Sequence, residues 1–238
     1  MKLSVIICAY NERETILQVL EGTRAALFGG GWDKEIIVVD NCSTDGTREL
    51  LQELDMPDVR VIYQPRNLGK GASIRAGFAH AGGDFGFIQD ADLEYDPADQ
   101  PRFVAKACEG NLDALYGSRT LGGQAVYVYA ANYWAVRGLT GLTNLLFGAR
   151  YTDVATASKL VRTRVFRSLN LRGSGFDLDF ELSNKLARGR YRVGEIAIAY
   201  KPRTIAQGKK IRAADGLAAL RVILRDRLVP WPDRQDRQ

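Results

Sequence analysis

The stretch KEIIVVDNCSTDGT, residues 34–47, decides the fold class. Its first part is a continuous apolar run rich in β-branched residues, a pattern typical of a strand that is buried on both faces of a parallel sheet. Asp40 ends the run, and the polar, glycine-containing segment after it leads into a predicted helix over Arg48 to Leu54. A strand followed by a helix is the repeating unit of an α/β sheet.

The segments on either side continue this alternation. Strands are predicted in KLSVIICAY (2–10), VRVIYQP (59–65) and DFGFIQD (84–90), and helices over Glu14 to Phe28 and in ASIRAGFAHA (72–81). This order predicts an α/β fold of three α/β/α layers, with a mainly parallel central sheet covered by helices on both sides. In open sheets of this kind, ligands bind beyond the carboxyl ends of the strands.

Composition and charge narrow the class of protein. The chain has 238 residues, of which 46% are hydrophobic and 26% charged, as is ordinary for a globular protein with a sizeable core. Residues 185–238 carry 14 Lys and Arg against 5 Asp and Glu. Such a basic segment attracts nucleic acid, anionic lipid or a phosphorylated substrate. Because no nucleic-acid motif accompanies the charge, we expect no nucleic-acid partner.

Cysteine usage and hydropathy indicate the compartment. Cys8, Cys42 and Cys108 are odd in number and contain no CxxC pair, so neither a disulfide framework nor a zinc site is predicted. The N-terminus is interpreted as a first strand, not as a signal peptide. Arg137 interrupts the best apolar window, Ala125 to Phe147, so no membrane span is expected. A cytoplasmic protein fits best.

Acidic side chains follow the predicted strands. If the first, second and fourth strands end at one edge of the sheet, Glu12, Asp40, Asp90 and Asp92 converge on one crevice. A hard divalent cation, Mg²⁺ or Mn²⁺, would relieve their repulsion and complete its shell with phosphate oxygens, which implies a nucleoside diphosphate ligand. The alternative is a solvated acidic turn whose Asp96 caps the next helix.

Six motifs carry a resemblance to a known family. They are SVIICAYNE, IIVVDNCSTDGT, RNLGKGASIRAGFAHAGGD, QDADLEYDP, YGSR and GFDLDFEL with EIAIAYKPR. They resemble, in order, motifs of the family 2 glycosyltransferases, in the branch similar to dolichyl- or polyprenyl-phosphate mannose or glucose synthases. The resemblance runs from about Lys2 to Arg212. It implies a GT-A (Rossmann-like) catalytic domain over residues 1–212. The spacing and charge of the remaining residues predict a basic amphipathic C-terminal helix and tail over 213–238. The resemblance also implies inverting sugar transfer from a nucleoside diphosphate.

The resemblance further implies roles for individual residues. Metal binding falls to Asp90, Asp92 and Glu94. Catalysis falls to Asp92, Arg119, Asp153 and Arg203. Contacts with the donor fall to Cys8, Tyr10, Glu12, Val39, Asp40, Asn41, Lys70, Asp90, Ala91, Asp92, Arg119, Arg203 and Lys210, with Lys209 as an alternative to Lys210.

Several positions depart from the family pattern. Cys8 stands where the family usually has proline, and Asn41 and Cys42 replace a second aspartate and a small residue, which leaves the nucleotide open. Ala157 and Ser158 replace the glycine and aromatic residue of the acceptor motif, so the acceptor is less defined than the donor.

The glycines of RNLGKG have two interpretations. They form either a phosphate-cradling loop or a turn in which Gly69 and Gly71 pack closely, and the missing GxxxxGK[ST] spacing favours the turn. His80 is the sole histidine and is expected at the surface, which excludes histidine from a metal site.

The need for a base depends on the acceptor. A hydroxyl must lose a proton as it attacks, whereas a lipid phosphate is already anionic. Asp153, Asp177 and Asp179 are the possible bases, although the last two also suit the first turn of a helix. Without a base, Arg119, Arg137 and Arg203 would position the phosphate.

The C-terminal region has three interpretations. Leu217, Leu220, Leu224 and Leu228 share one helical face, which suits an anionic membrane surface. A helix docked on the sheet and a dimer seam are the alternatives. The aromatic residues of YVYAANYW (127–134) suit either the core or a lipid groove.

The sequence thus predicts a peripheral enzyme that transfers a hexose from GDP-mannose or UDP-glucose to a polyprenyl phosphate on the cytoplasmic face of a membrane. One alternative is a soluble enzyme of the same family that acts on a glycan hydroxyl. The other is a catalytically silent protein that binds nucleotide sugars.

Overall fold

The computed structural model describes residues 1–122, 128–204 and 213–230. Its strands are β1 (Lys2–Ala9), β2 (Asp33–Asp40), β3 (Val59–Tyr63), β4 (Phe85–Asp90), β5 (Ala114–Ser118), β6 (Lys159–Arg162) and β7 (Val193–Ala197). Its α-helices are α1 (Ile16–Ala25), α2 (Thr47–Gln52), α3 (Lys70–His80), α4 (Gln100–Glu109), α5 (Ala130–Phe147), α6 (Thr163–Ser168), α7 (Asp177–Arg188) and α8 (Ala213–Leu228).

One seven-stranded sheet runs through the fold in the order β3-β2-β1-β4-β6-β5-β7. Every neighbouring pair is parallel except the two that involve β6, which is antiparallel to both β4 and β5. The predicted mainly parallel sheet is therefore confirmed. Cys8 of β1 is level with Val39 of β2 and Asp90 of β4, so these three strands end at the same edge.

Apolar residues of the strands alternate between two cores, one on each face of the sheet. Leu3, Val5 and Ile7 pack with α1 and α4 on one face. Ile6 and Ile88 pack on the other face, where α3, α6 and α7 contribute. Helices therefore cover both faces, and the three-layer prediction is confirmed.

The C-terminal helix α8 docks on the body of the protein. Ala219, Val222 and Ile223 are buried, and the helix packs mainly on α5 and α7. The side chains of Leu217 and Leu228 are 70% and 82% exposed, so the predicted leucine face points outward. In the described ranges, no helix combines the length and the apolar character that a membrane crossing requires.

Candidate active site

The carboxyl ends of β1, β4 and β5 open onto a cavity of about 830 Å³. The structure brings most of the predicted donor and metal residues together there: Cys8, Tyr10, Glu12, Asn41, Lys70, Asp90, Ala91, Asp92, Glu94, Arg119 and Arg203. These residues come from the ends of four strands, the start of α3 and the segment after β7. The sheet register therefore assembles residues that are up to 195 positions apart in the chain, from Cys8 to Arg203.

The start of α3 approaches another backbone too closely for side chains. Gly69 has a φ of +90°, and a Cβ there would lie 2.3 Å from the carbonyl oxygen of Ser174. A Cβ on Gly71 would lie 2.8 Å from the oxygens of Gly173 and Gly175. Of the two interpretations of these glycines, the structure supports the closely packed turn. This contact places the neighbouring Lys70 in the cavity.

Basic side chains of the protein itself neutralise the acids in the cavity. Lys70 Nζ lies 2.6 Å from Asp90 Oδ1, and Arg203 Nη2 lies 2.7 Å from Asp92 Oδ2. Arg203 also donates to both oxygens of Glu12, at 2.9 and 3.1 Å. Lys70 and Arg203 therefore already relieve the repulsion that was predicted to require a metal.

The pKa values of Asp92, Lys70 and Cys8 are all raised, but not all by the same cause. Burial and the nearby Asp90 carboxylate raise the pKa of Asp92 to about 7, although the charge of Arg203 opposes the shift. For Lys70, burial lowers the pKa, but the carboxylates of Asp90 and Asp179 outweigh it and raise the pKa above its ordinary value. Burial raises the pKa of the Cys8 thiol to about 12. Lys70 is therefore charged and Cys8 is a neutral thiol at physiological pH.

A buried ion pair fixes Arg119 at the end of β5. The backbone N and Nε of Arg119 donate to Asp153 Oδ2 at 3.1 and 2.7 Å, and Nη2 donates to Oδ1 at 2.8 Å. Burial raises the pKa of Asp153, but the charge and hydrogen bonds of Arg119 outweigh it and leave that pKa lowered. Since both oxygens of Asp153 are engaged and its side chain is 0% exposed, the geometry argues against the predicted catalytic role and indicates a residue that positions Arg119.

Two predicted donor contacts lie away from the cavity. Asp40 is 0% exposed, pairs with Arg48 at 2.6 Å and accepts a hydrogen bond from the Ser43 backbone. Val39 is also 0% exposed and packs in the core. The prediction that Asp40 joins the other acids in one crevice was wrong, because Arg48 holds it inside the fold. Lys209 and Lys210 lie outside the described residues.

Asn41 is the residue of the β2 end that reaches the cavity. Its Nδ2 donates to Asn67 Oδ1 at 2.9 Å, and its Oδ1 accepts from the backbone N of Leu68 at 2.8 Å. The amide therefore links this strand end to the loop before α3. A carboxylate at this position could accept from Leu68 but could not donate to Asn67 Oδ1.

The start of α7 forms part of the cavity wall, where Asp179 was predicted only as a possible base and Phe176 and Lys159 were not predicted at all. Phe176 and Asp179 line the cavity, and Lys70 Nζ lies 5.5 Å from the centre of the Phe176 ring. Asp179 pairs with Lys159, which is 0% exposed and also donates to the carbonyl oxygens of Val154 and Thr156. A buried lysine in a four-residue strand gives no sequence signal, so only the structure reveals it.

Comparison with known proteins identifies the family. The profile of glycosyl transferase family 2 matches residues 4–169, which is more than half of the chain. The chain belongs to glycosyl transferase family 2. Undecaprenyl-phosphate 4-deoxy-4-formamido-L-arabinose transferases of Salmonella dublin and Salmonella gallinarum are each 41% identical to it over 113 residues, a match that covers 46% of this chain and 34% of each relative. The matched stretch is thus about a third of the relatives' length.

Solved structures of two other proteins share the fold. Glucosyl-3-phosphoglycerate synthase from Mycobacterium tuberculosis, in complex with Mn²⁺, UDP and phosphoglyceric acid, superimposes with a TM-score of 0.71 at 20% identity, over 98% of this chain and 80% of that one. Staphylococcus aureus TarS in complex with UDP-GlcNAc superimposes with a TM-score of 0.64 at 16% identity, over 100% of this chain and 69% of that one. The fold of this family member is therefore GT-A.

The acids of the cavity fit a divalent cation only in part. Asp90, Asp92 and Glu94 offer the hard oxygen ligands that Mg²⁺ and Mn²⁺ prefer. Yet the described part of the chain holds no ready-made group of three His, Cys, Asp or Glu side chains arranged to bind a metal. Mg²⁺ commonly uses one or two carboxylates and completes its shell with phosphate oxygens and water. The donor set therefore suits an ion that binds together with a diphosphate.

Proposed function

We propose that this protein is an inverting, metal-dependent hexosyltransferase that uses GDP-mannose or UDP-glucose as donor and a polyprenyl or dolichyl phosphate as acceptor. Three features support the donor: the cavity at the strand ends, its acids, and the family membership. The Salmonella relatives, whose names include undecaprenyl phosphate, support the acceptor. Since the match covers a third of those relatives, the acceptor needs support from the site itself.

The pairing of the acids in the cavity is the observation that favours a phosphate acceptor. Four pairs join a cavity carboxylate to a basic side chain: Glu12–Arg203, Asp92–Arg203, Asp90–Lys70 and Asp179–Lys159. A hydroxyl acceptor needs a base within hydrogen-bonding reach, but these carboxylates are already held by cations. His80, the sole histidine, is exposed at the end of α3. A phosphate acceptor is already an anion and needs no base.

The proposed reaction is a direct displacement at the anomeric carbon. An oxygen of the acceptor phosphate attacks this carbon while its bond to the diphosphate oxygen breaks, so the nucleoside diphosphate leaves and the configuration inverts. Arg119 and Arg203 present planar guanidinium groups that suit phosphate oxygens, and Lys70 adds a fixed positive charge at the strand end. A bound Mg²⁺ or Mn²⁺ would supply neutralisation of the charge on the leaving diphosphate.

The outward faces of α5 and α8 support a position on the cytoplasmic face of a membrane. Trp134 of α5 is 69% exposed, and Leu217 and Leu228 of α8 are 70% and 82% exposed. Arg221 and Arg227 are exposed on the same helix α8. Exposed apolar side chains beside arginine suit the interface of an anionic bilayer. The free thiols of all three cysteines agree with a reducing compartment.

A donor screen tests the enzymatic proposal. Release of the product nucleotide from UDP-glucose, GDP-mannose and related sugar nucleotides is measured with Mn²⁺ or Mg²⁺, with and without undecaprenyl phosphate. We expect release from one donor that depends on the lipid phosphate and is stopped by EDTA. Turnover on a glycan hydroxyl without lipid phosphate would contradict the proposed acceptor, and no turnover with any acceptor would contradict an enzyme.

Vesicle flotation tests the proposed membrane contact. Leu228→Gln is expected to lower the fraction bound to anionic vesicles, because it removes a largely exposed apolar side chain from the contact face. Leu27→Gln is the matched control, since Leu27 is 86% exposed in the segment after α1. If both variants and the natural protein bind vesicles equally, the proposed contact between the outward face of α8 and the membrane is contradicted.

A further inference from the structure

One arginine holds three acids at the centre of the cavity. Arg203 Nη1 and Nη2 lie 2.9 and 3.1 Å from the oxygens of Glu12, and Nη2 also lies 2.7 Å from Asp92 Oδ2. Its Nε lies 3.7 Å from Glu94 Oε1. The side chain is 19% exposed, so these contacts are shielded from solvent. Arg203 thus provides much of the positive charge at this point of the cavity.

Arg203 contacts one of the two Asp92 oxygens that a divalent cation would need, and the other accepts a hydrogen bond from the backbone N of Glu94. A cation bound to Asp92 must lie within about 2.0–2.6 Å of a carboxylate oxygen, and Arg203 Nη2 already lies 2.7 Å from Asp92 Oδ2. A guanidinium and a divalent ion at such a separation repel each other strongly where water is scarce. Asp90 is likewise held by Lys70. A divalent cation would therefore compete with Arg203 for Asp92 and with Lys70 for Asp90.

The backbone around Arg203 is held by Glu94, whereas the guanidinium makes the contacts with Glu12 and Asp92. The backbone N of Arg203 donates to Glu94 Oε1 at 2.8 Å, and that of Lys201 donates to the Glu94 carbonyl oxygen at 3.0 Å. Within the described residues, the buried Nε of Arg203 has no hydrogen-bond acceptor. The Nε–H of the guanidinium is therefore available to donate to a ligand. Because the backbone is held by Glu94, the side chain can rotate without moving the backbone.

We propose that Arg203 is a resident counter-ion that yields Asp92 to a divalent cation only when a nucleoside diphosphate arrives to receive the guanidinium. The diphosphate offers Arg203 a new anion of matching geometry, so binding of the nucleotide and binding of the metal favour each other. This inference rests on the donor and metal parts of the proposed function and not on its acceptor. If Arg203 had only a structural role, its replacement would instead weaken the binding of Mn²⁺ alone and the binding of Mn²⁺ with nucleotide to the same extent.

Binding of Mn²⁺ alone separates the two roles. Titrations followed by the electron paramagnetic resonance signal of free Mn²⁺ compare the natural protein, Arg203→Gln and Arg203→Lys. We expect Arg203→Gln to bind Mn²⁺ alone at least about tenfold more tightly, or about 1.4 kcal/mol. The same variant is expected to bind Mn²⁺ with UDP or GDP more weakly than the natural protein does. Arg203→Lys keeps the charge and should resemble the natural protein with Mn²⁺ alone.

Lys201→Gln is the matched control, because it removes one positive charge from the same segment at an exposed position. It should leave Mn²⁺ binding unchanged. Equal or weaker binding of Mn²⁺ alone by Arg203→Gln would overturn the exchange. If that variant does not fold, the natural protein still provides a test, because failure of UDP or GDP to raise its Mn²⁺ affinity at least about tenfold would contradict the exchange.

The possible failures are distinguishable. If Mn²⁺ binds to no variant even with nucleotide, the metal part of the proposed function is overturned together with the exchange. If Mn²⁺ binds equally to the natural protein and Arg203→Gln, only the exchange is overturned. If the exchange is observed but no lipid phosphate is glycosylated, only the proposed acceptor is wrong.

Discussion

Replacement of Asp153 by asparagine tests the buried pair that holds Arg119. The side chains of the two residues are 0% and 6% exposed, and three hydrogen bonds join them. Asparagine keeps the volume but has one oxygen and no charge, so at least one donor of Arg119 loses its acceptor. Loss of one partner of a buried ion pair costs about 3–5 kcal/mol. We expect a decrease of that size in the free energy of unfolding.

Urea unfolding followed by circular dichroism measures this change, and a thermal scan should show a melting temperature lower by about 6–20 °C, at roughly 2–4 °C per kcal/mol for a chain of this size. Asp58→Asn is the control, because Asp58 pairs with Arg24 at 2.9 Å where both side chains are more than 40% exposed. It should cost less than about 1 kcal/mol. A loss below about 1 kcal/mol for Asp153→Asn would refute the reasoning.

The same pair predicts a pH dependence. The pKa of Asp153 lies below the ordinary value of 3.8 in the folded protein, because Arg119 outweighs the effect of burial. A carboxyl group whose pKa is lowered by folding stabilises the fold above its unfolded pKa and loses this contribution as the pH falls through the folded pKa. The contribution should therefore be complete above about pH 4 and decline below it. Asp153→Asn should decline less steeply in this acid range.

Two further predictions concern the glycine contact and the metal. Gly71→Ala should destabilise the protein by about 1–3 kcal/mol in urea unfolding, since its Cβ would lie 2.8 Å from backbone oxygens. Gly141→Ala, where α5 leaves open space, should stabilise it by up to about 1 kcal/mol, and equal effects would argue against the contact. Asp92→Asn should lower kcat for sugar transfer at least about a hundredfold with its circular dichroism spectrum unchanged, because the proposed metal ligand loses its charge. Full activity of the natural protein in EDTA would argue against the role of Asp92.

The strands in the first half of the chain could be predicted because their apolar runs are continuous. β1 and β4 are nearly all buried, β2 is buried from Ile36 to Asp40, and each has an apolar run that matches its burial. Helix ends were less predictable: α1 covers Ile16–Ala25, within the predicted Glu14 to Phe28. The capping of helix ends depends on local contacts that a periodic pattern does not contain.

The acids of the site could be predicted, but not their partners. Asp90 and Asp92 follow an apolar run directly, so the sheet edge fixes their position. Their pairing with Lys70 and Arg203 depends on contacts between segments 20 and 111 residues apart. Asp40 has the same sequence signal and yet pairs with Arg48 inside the fold. An aspartate at a strand end thus indicates the edge of the sheet but not the direction of its side chain.

The place of β6 in the sheet bears on how the nascent chain assembles. β1 to β4 are complete once Asp90 is made, but β4 obtains its second neighbour only from β6, at Lys159–Arg162. At about 5–20 residues per second, ribosomal synthesis leaves that edge uncovered for about 4–14 s. An unpaired strand edge is a template for association with other chains. We therefore expect the β4 edge to be open to wrong pairing between the synthesis of residues 90 and 159.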